Sequence, residues 1–262
     1  MNRTTAFAAC GLLAATIALE ATAIDSTGPA VSARRTTVSD AGRAPRLEQR
    51  GRSDLAPQKK PKLFPPTDLS LLEAPDREQW QKPDLIMDAL KIGEGDVVAD
   101  VGAGGGWFTV QLARRVWPNG IVYAEDVQAT MVEALTQRVQ REGLRNVRTV
   151  LGIGSDPKLP IGLDAVLMVE VFHESRSSAG PGGIVALLTN VAHSLKPQGL
   201  VGIVDFLPGD GGPGPAAEER SDPEAVIRIV QQAGLVLKAR EPIPPFQYLL
   251  VFGKGPQPSV QH

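Results

Sequence analysis

The stretch ADVGAGGGWFTVQLARR, residues 99–115, puts four glycines into positions 102–106, directly behind an apolar run and ahead of a helix-like one. Glycine costs more chain entropy on folding than any other residue, so a plain turn has no use for four of them. A bare backbone between a first strand and a helix is where an α/β sheet lays main chain against a nucleotide-containing cofactor. This one feature restricts both the fold and the ligand class.

The rest of the chain repeats the alternation. Strand-like runs occupy 97–102, 121–126, 146–151, 163–171 and 200–206. Helical spacing lies between them: Phe108, Leu112 and Val116 in 107–116; Met131, Leu135 and Val139 in 128–142; Ile184, Leu187, Leu188, Val191 and Leu195 in 182–196. Buried-type strands separated by helices predict a doubly wound, mostly parallel sheet covered on both faces. The ends of the first and fourth strands then meet at a switch point. A Gly/Pro loop follows at 208–220, and Ser221 and Glu224 have capping-box spacing for a helix closing on Gly234. The runs 235–241 and 246–252, joined by a few residues that include Pro244 and Pro245, predict an antiparallel hairpin. Ahead of the sheet, a short helix is expected after Pro83, with Leu72 and Trp80 as anchors onto the main body.

The N-terminus, MNRTTAFAACGLLAATIALEATAIDS, has a basic start at Arg3, an apolar stretch from Ala6 to Leu19 and an A-x-A site at Ala21–Ala23. It reads as a secretory signal over 1–23, too short for a comfortable transmembrane helix, with an organelle transit peptide as the alternative. An exported or periplasmic location is expected from it. Cys10, the one cysteine, lies inside this apolar stretch, so a chain cleaved after Ala23 has no thiol for disulfides, nucleophilic catalysis or thiolate metal sites. Three histidines make a His-based zinc site a poor fit, and no metal is expected. Residues 24–62 read as disordered linker, 63–254 as the folded domain and 255–262 as a disordered tail. The linker concentrates positive charge, with nine Lys/Arg against three Asp/Glu over 31–62, while the whole chain carries −2. The body is therefore acidic, which disfavours broad contact with nucleic acid.

Two cofactor classes use such a glycine turn. The dinucleotide fingerprint G-x-G-x-x-G finds Trp107 at its third position, where close helix packing wants glycine. The pattern present is Asp100-x-Gly102-x-Gly104-x-Gly106. Together with the layout above, it resembles the class I S-adenosylmethionine-dependent methyltransferases, over about residues 80–252. Four blocks match in order: VVADVGAGGG, VYAED, LDAVLMVEVFHE and LKPQGLVGIVDF, followed by the terminal hairpin.

The resemblance implies a seven-stranded Rossmann-like sheet and S-adenosyl-L-methionine as cofactor. It implies that Gly102, Gly104 and Gly106 lie against the methionine and ribose parts, that Asp100 serves the methionyl ammonium, and that Asp126 accepts both ribose hydroxyls. Glu125 is expected to point to the other side of its strand. The chain departs from the family after the third strand, where the family offers a Gly-Asp pair to the adenine amino group and this chain has Gly152-Ile153. Adenine is then expected to meet backbone and Ile153, with Ser155 or Asp156 assisting.

Methyl transfer from a sulfonium needs alignment above all, and a neutral hydroxyl or amine acceptor also needs a base. MVEVFHES at the end of the fourth strand supplies Glu170 and His173 as catalytic candidates: His173 as base because it titrates near neutrality, Glu170 as an electrostatic wall at the sulfonium. The 208–220 loop is expected to act as a lid or acceptor-binding segment, and Trp80 to close the cofactor pocket from the other side. The expected activity is methyl transfer to a small-molecule acceptor. Two alternatives stay open: a non-catalytic module of the same fold that binds the cofactor or a related nucleoside, and a nicotinamide-dependent oxidoreductase. An exported chain would meet little of this cytosolic cofactor, which keeps a cytoplasmic or organellar location open as well.

Overall fold

A computed structural model describes residues 73–174 and 180–255, all within the unit Leu55–His262. The expected signal segment, the linker, Leu72 and the tail beyond Gly255 lie outside the described residues.

Two short helices come first, α1 (Arg77–Gln81) and α2 (Pro83–Ala89). Between them Lys82 takes a left-handed backbone, φ 48°, and Pro83 restarts the helix at its first position. The alternating part follows as β1 (Val97–Val101), α3 (Trp107–Val116), β2 (Ile121–Asp126), α4 (Ala129–Arg141), β3 (Val147–Leu151), β4 (Leu163–Val169), α5 (Gly180–Ser194) and β5 (Leu195–Phe206). Helix α6 (Pro223–Gln232) and the strands β6 (Leu235–Ile243) and β7 (Gln247–Lys254) complete the described chain.

The sheet has seven strands in the order β3-β2-β1-β4-β5-β7-β6. Strands β1 to β5 run parallel, and β7 lies antiparallel between β5 and β6. The order reverses between β1 and β4, which opens a crevice at their carboxyl ends. Each face buries its own core. Val98, Ala124 and Leu167 pack with Met87, Leu112 and Leu135 from α2, α3 and α4. Val101, Met168 and Ile203 pack with Leu188, Val191 and Val226 from α5 and α6. Among the described residues, no helix is long and apolar enough to cross a membrane.

Two local expectations are corrected. The capping residue of α6 is Asp222, whose carboxylate accepts from the Ala225 N–H at 3.1 Å, and Ser221 is not the cap. Pro223 at the first helical position moves the helix start one residue along, leaving the Ser221 carbonyl to the Tyr248 hydroxyl at 3.0 Å. The LKPQG block does not precede the fifth strand as a separate turn. Leu163 pairs with Leu195 and Ala165 with Leu200, so Lys196–Gly199 bulge from a strand already begun.

Candidate functional site

The glycine turn leaves β1 at the point where the sheet order reverses. Gly102 has φ 71°, and a Cβ there would lie 2.4 Å from Val171 Cγ2. Gly106, the residue before α3, has φ 82° and would put a Cβ 2.4 Å from Leu135 Cδ1. Both glycines are therefore demanded by the protein's own packing, before any ligand is considered. The turn is held from several sides: the Ala103 N–H donates to the Glu125 carbonyl at 2.8 Å, and the Gly104 N–H to Asp126 Oδ2 at 3.0 Å. Arg138 on α4 reaches the Gly105 carbonyl at 3.1 Å. Trp107 opens α3 with its ring under the Arg77 guanidinium, 4.6 Å from Cζ to centroid.

Three carboxyl groups line this turn, and all are buried. Asp100 is 2 % exposed and accepts from the Thr109 hydroxyl at 2.6 Å; burial pushes its pKa up to about 6, against that bond and the Arg77 charge. Burial also raises Asp126, although its Oδ1 accepts from the Gln128 N–H at 2.9 Å. Glu125 is raised further, to about 8, by burial first and by the charges of Asp126, Asp100 and Asp156. Strand alternation does send Glu125 and Asp126 to opposite faces, with Glu125 Oε2 meeting the Gly102 N–H at 3.3 Å.

Three acids crowded out of water beside one crevice disfavour each other's charge, and a cationic ligand relieves that cost. S-adenosylmethionine carries an ammonium and a sulfonium, so this donor set fits it. Asp126 has a backbone N–H on each oxygen, from Gly104 and Gln128, and a carboxylate so oriented suits a pair of ribose hydroxyls. Asp100 stands at the α3 end of the crevice, bonded to Thr109.

Beyond β3 the chain turns sharply. Ile153 and Asp156 exchange two backbone hydrogen bonds, each 2.9 Å, and Ile153 is 51 % exposed. Asp156 Oδ1 accepts from the Lys158 N–H at 2.8 Å, and the Ser155 carbonyl accepts from Asn190 at 2.9 Å. The turn is thus built from its own polar groups, with an apolar side chain at its tip.

The opposite wall of the crevice begins at Glu170, just past β4. Its backbone is left-handed, φ 61°, which is uncommon for a residue with a Cβ and turns its side chain inward. Glu170 closes a ring of four side chains drawn from three parts of the chain. Arg77 Nε donates to Gln81 Oε1 (3.1 Å), Gln81 Nε2 to Gln247 Oε1 (2.7 Å), and Gln247 Nε2 to Glu170 Oε1 (2.8 Å); Arg77 Nη2 returns to Glu170 at 3.8 Å. Burial raises the Glu170 pKa and lowers that of Arg77, while the pair's attraction works against both shifts.

His173 stands three residues further on, with Nδ1 3.3 Å from the Asp205 carboxylate at the end of β5. Asp205 is fully buried and its Oδ1 also accepts its neighbour's N–H, from Phe206 at 2.8 Å. Burial pulls the His173 pKa down, but the Asp205 bond and charge, helped by Glu174 and Glu170, outweigh it and leave the ring more basic than usual.

Arg77, Gln81, Asp205 and Gln247 were not among the residues singled out from the sequence. Asp205 had a readable signal, as an acid ending a parallel strand at the sheet edge that carries the switch point. Arg77 and Gln81 precede the helix expected after Pro83, and Gln247 is a polar position in the strand-like run 246–252; nothing local marks any of the three for the site.

The loop at 208–216 and Trp80 meet on one aromatic cluster, which corrects the expectation that they close the crevice from opposite sides. The Trp80 ring lies 6.0 Å from Phe206 and 6.5 Å from Phe246. A Cβ at Gly212 would strike the Phe246 ring, and one at Gly214 the Phe206 ring. Arg220 ties the loop down through the carbonyls of Pro215, Leu207 and Gly211.

Residues 98–199 match the family model of the methyltransferase domain. A solved S-adenosylmethionine-dependent methyltransferase from Aquifex aeolicus superposes with TM-score 0.67 at 26 % identity, covering 72 % of this chain and 98 % of that one. Among curated proteins, a tRNA (guanine-N(7)-)-methyltransferase from Thermus thermophilus is 39 % identical over 79 residues, 29 % of this chain and 25 % of its own length. A protein-L-isoaspartate O-methyltransferase from Methanothrix thermoacetophila is 34 % identical over 71 residues, 27 % of this chain and 34 % of its own length. The chain thus spans about a quarter to a third of the curated relatives it matches, and those two act on different acceptors by name.

Proposed function

Because the chain belongs to the class I S-adenosylmethionine-dependent methyltransferase family, we propose that it transfers the cofactor's methyl group to the hydroxyl of a small-molecule acceptor, with His173 as the base. The family's cofactor supplies an electrophilic methyl on a positively charged sulfur. The chain's own residues do the rest. Asp100 and Asp126 hold the methionyl ammonium and the ribose of the cofactor against the glycine turn, and the turn's rigidity fixes where the methyl can point.

The observation that carries the choice of acceptor is the His173–Asp205 contact. With Asp205 accepting from Nδ1, the neutral ring carries its proton there and Nε2 is the basic nitrogen. A base of this type, made stronger by a buried carboxylate, serves an acceptor that must lose a proton as it attacks. Val171, packed on Gly102, ties the 170–174 segment to the glycine turn, which supports a base acting beside the cofactor. Glu170 and its ring of partners form the wall beside it and offer the acceptor polar contacts.

The test is formation of S-adenosylhomocysteine with a panel of phenolic and aliphatic hydroxyl acceptors, comparing the wild type with His173→Ala. Turnover in the wild type and its loss in the variant, with cofactor affinity kept, supports the proposal. Tight cofactor binding with no turnover on any hydroxyl acceptor overturns it and leaves the binding-module reading.

A further inference from the structure

Glu125 has no role in the chemistry above, yet it occupies an unusual position. It is 2 % exposed, and its Oε1 is a buried oxygen without a hydrogen-bond partner among the described residues. An orphaned carboxyl oxygen costs free energy that a hydrogen-bond donor would recover. Its neighbour is Gly152, where a Cβ would lie 1.8 Å from Oε1, so any other residue at 152 would expel the carboxyl. Gly152 directly follows β3 and opens the turn that carries Ile153. The acid is therefore lodged at the point where the chain lacks one of its own: Ile153 has no polar atom in its side chain, and Asp156 is bound to the Lys158 N–H.

We propose that Glu125 recognises the exocyclic amino group of the cofactor's adenine, reaching it from β2 past the bare Cα of Gly152. This rests on the cofactor reading given above. One of the amine's two N–H donors would satisfy the unused Oε1 acceptor of Glu125. Oε2 stays on the Gly102 N–H at 3.3 Å, which orients the carboxyl and couples adenine recognition to the glycine turn. With Glu125 ionised, above its raised pKa of about 8, a 6-oxo purine in the same place would set carbonyl oxygen against carboxylate oxygen. Selectivity for adenosine over inosine is the consequence.

The experiment measures, at about pH 9 where Glu125 is ionised, calorimetric affinity for S-adenosylhomocysteine and for its 6-oxo (inosyl) counterpart, on the wild type, Glu125→Gln and Glu125→Val. The wild type is expected to prefer the adenosyl compound by about tenfold or more, the worth of one buried hydrogen bond. Glu125→Val should bring that ratio to about one, chiefly by weakening the adenosyl compound; Glu125→Gln, whose amide can donate to the 6-oxo group, should lower it too. Thermal unfolding of each variant checks that it is folded. A ratio that stays at its wild-type value in folded Glu125→Val overturns the role of Glu125 alone. Failure of the wild type to bind either compound overturns the cofactor reading, and this inference with it.

Discussion

The Asp205 carboxylate, fully buried at the end of β5, lies 3.3 Å from Nδ1 of His173, the ring that follows β4. Two adjacent parallel strands thus bring an acid and a histidine together at the edge that also carries the glycine turn. Neither residue alone says much. As a pair they define which ring nitrogen is basic and how basic it is.

Asp205→Asn should lower turnover by roughly a hundredfold, the usual scale for a misplaced or mis-tautomerised base, while leaving cofactor affinity within about twofold. Because Asp205 raises the His173 pKa, its loss should move the acidic limb of the pH–rate profile to lower pH. A profile unchanged in position and height would remove Asp205 from any role in the reaction.

Asp126→Ala should weaken S-adenosylhomocysteine binding by at least about tenfold, measured by calorimetry, since two hydroxyl contacts are lost at a buried site. Part of the loss comes through the Gly104 and Gln128 N–H groups, which Asp126 now fixes. An unchanged affinity would take Asp126 out of the site.

Arg77→Met leaves Glu170 buried without its cation and removes the cover of the Trp107 ring. The expected cost is about 3 kcal/mol of stability by denaturant unfolding, the scale for breaking a buried ion pair from one side. Adding Glu170→Gln should restore much of it, since a neutral amide still accepts from Gln247 Nε2 but leaves no uncompensated charge. If the double variant is as unstable as the sum of two independent losses, the pair is not coupled.

Glu125 binds its proton more tightly in the folded protein than in the unfolded chain. Its contribution to stability is full below the ordinary value of 4.5 and is lost as pH rises to about 8. In the absence of ligand, the melting temperature should fall across that window. In Glu125→Gln the fall should be smaller, so that the variant stands roughly 5 °C or more above the wild type at pH 8 compared with their difference at pH 5. Parallel curves for the two proteins would show that Glu125 is ionised at no unusual cost.

The elements were legible in the residues because their periods are strong. Phe108, Leu112 and Val116 on α3, and the β-branched runs of β1 and β2, leave little choice of structure, and α3 and β2 have the boundaries expected of them. The boundaries that differ are those decided by a competing local device. Pro223 passed the cap from Ser221 to Asp222, and the pairing of Leu195 with Leu163 drew the LKPQG block into β5.

For the candidate site, residues that serve it through main chain or strand ends could be named in advance: Asp100, the glycines, Asp126, Glu170 and His173 all lie within a few positions of a predicted strand terminus. What sequence periodicity cannot convey is which distant side chains those strand ends meet. Arg77 and Gln247 are 170 positions apart and share one hydrogen-bonded ring with Glu170 only because α1 and β7 fold onto the same sheet edge. Glu125 shows the same division. Its place on β2 followed from alternation, but its burial against the Cα of Gly152, with one oxygen unsatisfied, came from the pairing of β2 with β3. Local order is written in short-range pattern, whereas burial, partner and basicity belong to long-range contact, and only the assembled sheet creates those.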